Sequence, residues 1–292
     1  MSAAQSRSPL LEVQHISQHY KLPHQRLLGP APQVQVLDDI CFNVPAGQSI
    51  GIVGESGSGK STLARIIMAL DVPSQGRVRL MGRDLHAMTP AQLQAARADF
   101  QMVFQDPYSS LDPRQRIERI VTEPMHALGE RDREKMRARA EKILQRVGLT
   151  SQDLRKYPHE FSGGQRQRIA IARALMTHPR LIVADEPVSA LDVTIQAQVL
   201  DLMLELKATY GISFLFISHD MAAIHHLCED MLVMHQGKAV ERGSPEKLLN
   251  EPRHAYTQAL VRALPQLGQG RRRTRLQQEA AQAAVAETSS TA

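Results

Sequence analysis

Apolar residues recur along this chain in two rhythms. Near the N-terminus, LLEVQHISQHY (10–20) alternates apolar and polar positions well enough to predict a half-buried strand followed by a turn. Residues 22–33, with Pro23, Pro30 and Pro32, predict a surface loop. VLDDICFNV (36–44) predicts a strand, ended by a turn at Pro45–Gly47. Ser49–Val53 predicts another strand, which runs into a glycine-rich loop and a helix from Lys60. A short strand at Arg77–Met81 and a short helix at Pro90–Arg97 follow. Beyond FQMVFQDP (100–107) the pattern is helical and charged until about Met176. Leu181–Asp185 is then a continuous apolar run of strand length, followed by a helix through Ala208 and a strand ISFLFIS (212–218). Another helix, one strand over MLVMHQGKAVERG (231–243), and a short helix between Glu251 and Leu264 complete the pattern.

Strands that alternate with helices after Ser49 predict an α/β fold with a parallel sheet covered on both faces. The strand-rich first 48 residues predict an added antiparallel β layer, and residues 106–180 an inserted helical lobe. One domain is expected over 10–265. Residues 266–292, rich in Gln, Ala, Ser and Thr, are expected to form a basic, mobile tail.

Composition narrows the class. A hydrophobic share of 42% with 22% charged residues is that of a globular chain. The two cysteines, Cys41 and Cys228, exclude a CxxC metal centre and fit a reducing compartment. No apolar run approaches the roughly 18–20 residues of a membrane span, and the first residues lack the apolar core of a secretory signal. A cytoplasmic location is therefore expected.

The net charge of +5 is unevenly spread. Residues 114–146 hold ten basic and six acidic side chains, and Arg271, Arg272, Arg273 and Arg275 cluster in the tail. Over Glu130–Gln145 the signs alternate at helical spacing, which reads as a solvated helix. Aromatic residues make up only 4% and no recognition motif accompanies the charge, so no nucleic acid is expected as a partner. The arginine cluster reads as a solvated tail, with anionic lipid as the alternative. His225, His226 and Cys228 sit at neighbouring helical positions that point in different directions, which prevents them from gathering round one metal.

The strongest chemical signal is Gly54-Glu55-Ser56-Gly57-Ser58-Gly59-Lys60-Ser61, which satisfies G-x4-G-K-[ST] between a strand and a helix. Glycines let successive backbone N–H groups turn toward a β-phosphate, and the helix N-terminus adds positive potential. Lys60 can then reach the β- and γ-phosphates, and the Ser61 hydroxyl can ligate Mg²⁺. A dinucleotide fingerprint fails, since Thr62 stands where its third glycine would be. Leu181–Asp185 supplies the complementary half: a buried strand ending in Asp185 and Glu186. Asp185 is expected to hold Mg²⁺, and Glu186 to act as general base toward an attacking water. Ser162, Gly163, Gly164 and Gln165 open a further helix, RQRIAIARAL, whose N-terminus is another phosphate site. With a P-loop already present, that second site makes sense as a cap on nucleotide held by another subunit.

In this arrangement the chain resembles the ATP-binding subunits of ABC transporters over residues 10–265, which implies a P-loop NTPase with a RecA-like core and ATP with Mg²⁺ as its ligands. The resemblance implies that Gln105, in VFQDP, senses Mg²⁺ and the lytic water. It implies that Ser162–Gln165 is the signature sequence, with Phe161 in place of the commoner leucine. Ser189–Asp192 matches the loop that links two ATP sites, His219 the switch histidine at the γ-phosphate, and Tyr20 the aromatic that stacks on adenine. FQDPYSSLDPRQRI (104–117) and EPRHAYTQAL (251–260) resemble the peptide and nickel importer group, with Ala255 where that group often has proline. That resemblance implies uptake of di- or oligopeptides. It also implies a second ATPase subunit forming a homo- or heterodimer, two transmembrane permease subunits, an extracytoplasmic solute-binding protein, and a peripheral place on the cytoplasmic face of the inner membrane. The alternatives are import of nickel or another solute, and a soluble multienzyme complex of the carbon–phosphorus lyase kind.

Overall fold

The computed structural model describes residues 9–21, 33–106 and 108–264. The loop expected over 22–33 lies outside them except for Gln33, and so does the tail from 266. Strands β1 (Leu11–Lys21) and β2 (Gln33–Val44) pair antiparallel, and β1 also pairs with β4 (Gln75–Leu80), which pairs with β5 (Arg83–Asp84). This four-stranded sheet, in the order β2-β1-β4-β5, is the antiparallel layer. Its inner face is apolar because Leu37, Ile40, Phe42 and Val44 of β2 point inward while their neighbours face water.

The second sheet has six strands. β3 (Ile50–Val53), β6 (Phe100–Val103), β7 (Leu181–Asp185), β8 (Ser213–Ile217) and β9 (Asp230–His235) are parallel, and β10 (Lys238–Gly243) lies antiparallel at one edge. The strand order is β10-β9-β3-β8-β7-β6. β3 and β8 are buried throughout, as strands covered on both faces must be. Alternate side chains divide between two cores. Ile50, Ile52, Val183, Leu215 and Ile217 join the antiparallel layer and α1 (Lys60–Ile67). Val53, Ile182, Ala184, Phe214 and Phe216 join the helical part of the chain.

That helical part begins after α2 (Pro90–Ala96) with α3 (Ile117–Ala127), α4 (Arg133–Arg146) and α5 (Gly163–Leu175). α4 turns Met136, Ala140, Ile143 and Leu144 inward, Arg137 pairs with Glu141 at 3.2 Å on its outer side, and Arg139 is part-buried. α6 (Val193–Tyr210), α7 (Met221–Leu227), α8 (Pro245–Asn250) and α9 (Ala255–Ala263) complete the chain as described. No helix among the described residues is long and apolar enough to cross a membrane.

Two expectations need correction. The single strand read over 231–243 is a hairpin: Gln236 and Gly237 both take positive φ (48° and 79°), which folds β10 back on β9. Phe100–Val103, read only as the approach to a helical region, is the outermost parallel strand, β6. His226 meets Asp201 at 2.8 Å and Cys228 is buried, its thiol pushed far up by that burial; the two do not share a ligand position.

Candidate nucleotide site

The C-terminal ends of parallel strands all open on one edge of a sheet, where ligands of such folds bind. Here β3 ends in the glycine-rich loop, β6 two residues before Gln105, β7 at Asp185 and β8 two residues before His219. Gly57 and Gly59 have φ of 82° and 99°, which favours glycine. A Cβ on Gly59 would also stand 2.7 Å from Leu37 Cδ2 and 2.9 Å from the Val36 carbonyl oxygen. The loop therefore lies against β2 with no room for a side chain at that point.

Lys60 is buried and donates from Nζ to the carbonyl oxygens of Gly54 (2.7 Å) and Glu55 (2.9 Å). An ammonium has three protons, so one remains for a further acceptor. Burial lowers the Lys60 pKa, and the nearby carboxylates of Glu186 and Asp185 oppose that shift. The Ser58 side chain is buried and its hydroxyl carries no hydrogen bond among the described residues.

Ser61 donates from its hydroxyl to Asp185 Oδ1 at 3.4 Å. Both are hard oxygen donors of the kind Mg²⁺ takes, so the pair fits that ion. Burial raises the Asp185 pKa, with Glu186 adding to the rise and Ser61 and Lys60 opposing it. A carboxyl whose pKa is higher in the folded chain binds its proton more tightly there. Its stabilising share is present at low pH and is lost as pH rises through the folded pKa. Asp185→Asn is thus expected to raise the melting temperature of the nucleotide-free chain, more at neutral pH than below the ordinary carboxylate pKa, while Mg²⁺-dependent hydrolysis is lost. An unchanged or lower melting temperature would show that Asp185 is not strained by its burial.

Glu186, the first residue after β7, has φ 44° and is held there by its N–H donating to the Ile217 carbonyl at 2.9 Å. Its Oε2 accepts from Gln105 Nε2 at 3.1 Å and lies 3.4 Å from His219 Nδ1. Gln105 Nε2 also lies 3.5 Å from the Ser189 hydroxyl, and the amide oxygen of Gln105 has no hydrogen bond among the described residues. A cavity of about 480 Å³ separates this trio from the P-loop residues Ser56, Gly57 and Gly59–Thr62, with Val36 at its side. One carboxylate, one imidazole, one amide and one ammonium thus converge on a volume able to take phosphate and water.

Other expected residues stand apart from this cavity. Tyr20 lies on β1 beside the Arg65–Asp71 ion pair. Ser162 caps α5: its hydroxyl accepts from the Gln165 N–H (3.4 Å), and Gln165 Oε1 accepts from the Ser162 N–H (3.0 Å). Asp192 caps α6 by accepting from the Ile195 N–H at 3.0 Å. Gly164 lets these two helix starts touch, since a Cβ there would lie 2.4 Å from Ile195 Cγ2. Gly164→Ala is expected to destabilise the chain by about 1–3 kcal/mol through overpacking. Chemical denaturation should show that loss, and Ile195→Ala in the same chain should recover part of it.

Tyr256 was not among the expected residues. Its hydroxyl accepts from the Glu55 N–H at 2.9 Å, and its ring stacks on His235 with centroids 3.9 Å apart. It ties the C-terminal α9 to the P-loop across 201 residues of sequence, a contact that no local spacing announces.

Residues 37–189 match the family model of the ABC transporter, and residues 240–290 match that of the oligopeptide/dipeptide transporter C-terminal region. The dipeptide transport ATP-binding protein DppF of Escherichia coli is 42% identical over 270 residues, 92% of this chain and 80% of that protein. This chain belongs to the ATP-binding subunits of ABC transporters. The oligopeptide transport ATP-binding protein OppF of Escherichia coli is likewise 42% identical, over 90% of this chain and 80% of its own length. Among solved structures, the dimeric post-hydrolysis state of the ATP-binding cassette MJ0796, bound to ADP and Pi, superposes with a TM-score of 0.71 at 28% identity. That match covers 80% of this chain and 98% of the other. The strand order and the P-loop are accordingly those of an ABC cassette, which binds ATP and hydrolyses it.

Proposed function

We propose that this ATPase powers import of di- or oligopeptides through a membrane permease, from the cytoplasmic face of the inner membrane. The reading is carried by the C-terminal element, most of β10 through α9, which lies within the matched oligopeptide/dipeptide transporter region and touches the P-loop through Tyr256. DppF and OppF, named for dipeptide and oligopeptide transport, support the substrate class.

In this reading Lys60 and the P-loop N–H groups bind the ATP phosphates, while Ser61, Asp185 and Gln105 would hold Mg²⁺. Mg²⁺ supplies charge neutralisation on the phosphates. Glu186 accepts the proton of the attacking water, and His219 and Gln105 fix where that carboxylate points. A second ATPase subunit completes the site, since Ser162–Gln165 and Asp192 of the same chain lie off the cavity. A copy of this chain meets that need, because it carries both halves. Val193, beside Asp192 at the start of α6, is 81% exposed and offers apolar surface for that partner to cover. Closing and reopening of the dimer would then drive two permease subunits fed by an extracytoplasmic solute-binding protein.

Uptake of a labelled dipeptide by cells tests the substrate. Cells lacking this chain should lose uptake, the wild-type chain should restore it, and Glu186→Gln should not. Equal dipeptide uptake with and without the chain contradicts peptide import.

A further inference from the structure

We propose that His15, Asp39 and Cys41 form a site for one borderline-soft divalent cation, Zn²⁺ foremost, on the outer face of the four-stranded sheet. The site is separate from the nucleotide cavity and does not depend on the transported solute. Two irregularities in one strand pair create it. The β1–β2 register breaks between Val13 and Ile16 and again between Ile16 and Gln18. At these bulges His15 and Asp39 both take left-handed backbone, each with φ 53°. The Asp39 N–H is held there by the Ser17 hydroxyl at 3.0 Å. Ile16, Ile40 and Phe42 keep their inward places, while His15, Asp39 and Cys41 come together on the solvent side.

The three ligand atoms are one nitrogen, one oxygen and one sulfur, a donor set that suits Zn²⁺. Among the described residues this is the one such trio whose ligand atoms all lie within 4.8 Å of one another. His15 Nδ1 lies 2.7 Å from Asp39 Oδ1 and 3.4 Å from Cys41 Sγ, and Sγ lies 3.9 Å from Oδ1. Tetrahedral Zn²⁺ with ordinary bond lengths separates such donors by about 3.4–3.6 Å. Each observed separation is within about 0.7 Å of that geometry, within reach of side-chain rotation on an exposed surface.

A nucleophilic triad is the competing use of the same three residues. It requires the cysteine on one imidazole nitrogen and the carboxylate on the other. Here both approach Nδ1, so no relay through the ring exists. A shared ion instead needs all three donor atoms on one side and close together, as they are here. The His15 N–H donates to Cys41 Sγ at 3.1 Å, which holds the sulfur beside the imidazole. On binding, the Cys41 proton leaves to solvent, the His15 proton resides on Nε2, and thiolate with carboxylate neutralise the cation. Water supplies the fourth ligand, since all three residues are exposed.

The test uses the full, untagged chain without nucleotide, titrated with Co²⁺ and then Zn²⁺. Cys228 is buried, so a sulfur-to-cobalt charge-transfer band reports Cys41. We expect one equivalent of Co²⁺ to produce that band and Zn²⁺ to bleach it. Cys41→Ser should abolish the band, and His15→Ala should weaken Zn²⁺ binding at least about tenfold. Unchanged ATP affinity in both variants verifies their fold. Absence of the band in the wild-type chain, or Zn²⁺ affinity unaltered by both substitutions, overturns the site.

Discussion

Replacing Glu186 with glutamine is expected to leave ATP bound and to lower its hydrolysis by about 10²–10⁴-fold, or about 3–5 kcal/mol of barrier. The amide keeps the shape of the side chain and its contact with Gln105 Nε2, but it cannot take a proton from water. The left-handed backbone of Glu186 turns it out of β7 while Asp185 stays beside Ser61. Two adjacent carboxylates thereby receive different surroundings. Asp185 is paired with the hydroxyl of a metal-binding residue type, and Glu186 faces His219 and Gln105. Single-turnover hydrolysis beside equilibrium ATP binding separates the two effects. Turnover within a fewfold of wild type would remove Glu186 from the role of base.

Ser162→Arg is expected to abolish ATP-driven dimerisation while leaving the ATP affinity of the single chain intact. Ser162 stands exposed at the N-terminus of α5, off the cavity that its own P-loop lines. A long cation placed there occupies the space where another chain's phosphates would dock. The substitution also removes a helix cap, at a cost of about 0.5–2 kcal/mol. Ser162→Ala loses the same cap without the bulk, so the difference between the two variants isolates the steric effect. Light scattering with ATP in the Glu186→Gln background reads the outcome. A dimer that persists with arginine at this position would contradict a shared site.

How much of this was legible in the sequence varies with the range of the contacts involved. The P-loop, the acidic end of β7 and the helix start at Ser162 were readable because each chemistry depends on neighbours a few residues apart. Parallel order then delivers Gln105, Glu186 and His219 to one edge, since each follows its strand by one or two residues. The β9–β10 hairpin was missed because Gln236-Gly237 lacks the Asn-Gly pair that usually marks such a turn. β6 was missed because its four residues, broken by Gln101, lead into no glycine-rich loop like the one that marks the equally short β3. Tyr256 on the P-loop, and the meeting of His15 with Asp39 and Cys41, depend on docking and on strand bulges. Neither leaves a trace in local spacing.

The claim that this chain is one half of a two-site ATPase is tested most directly by mixing two inactive variants. Lys60→Ala disables the P-loop and keeps the signature residues; Ser162→Arg does the reverse. Each alone should lack ATPase activity. In an equal mixture, half of the dimers pair one of each and contain one intact site, so turnover should return to about a quarter of wild type. A mixture as inactive as its components would contradict the account.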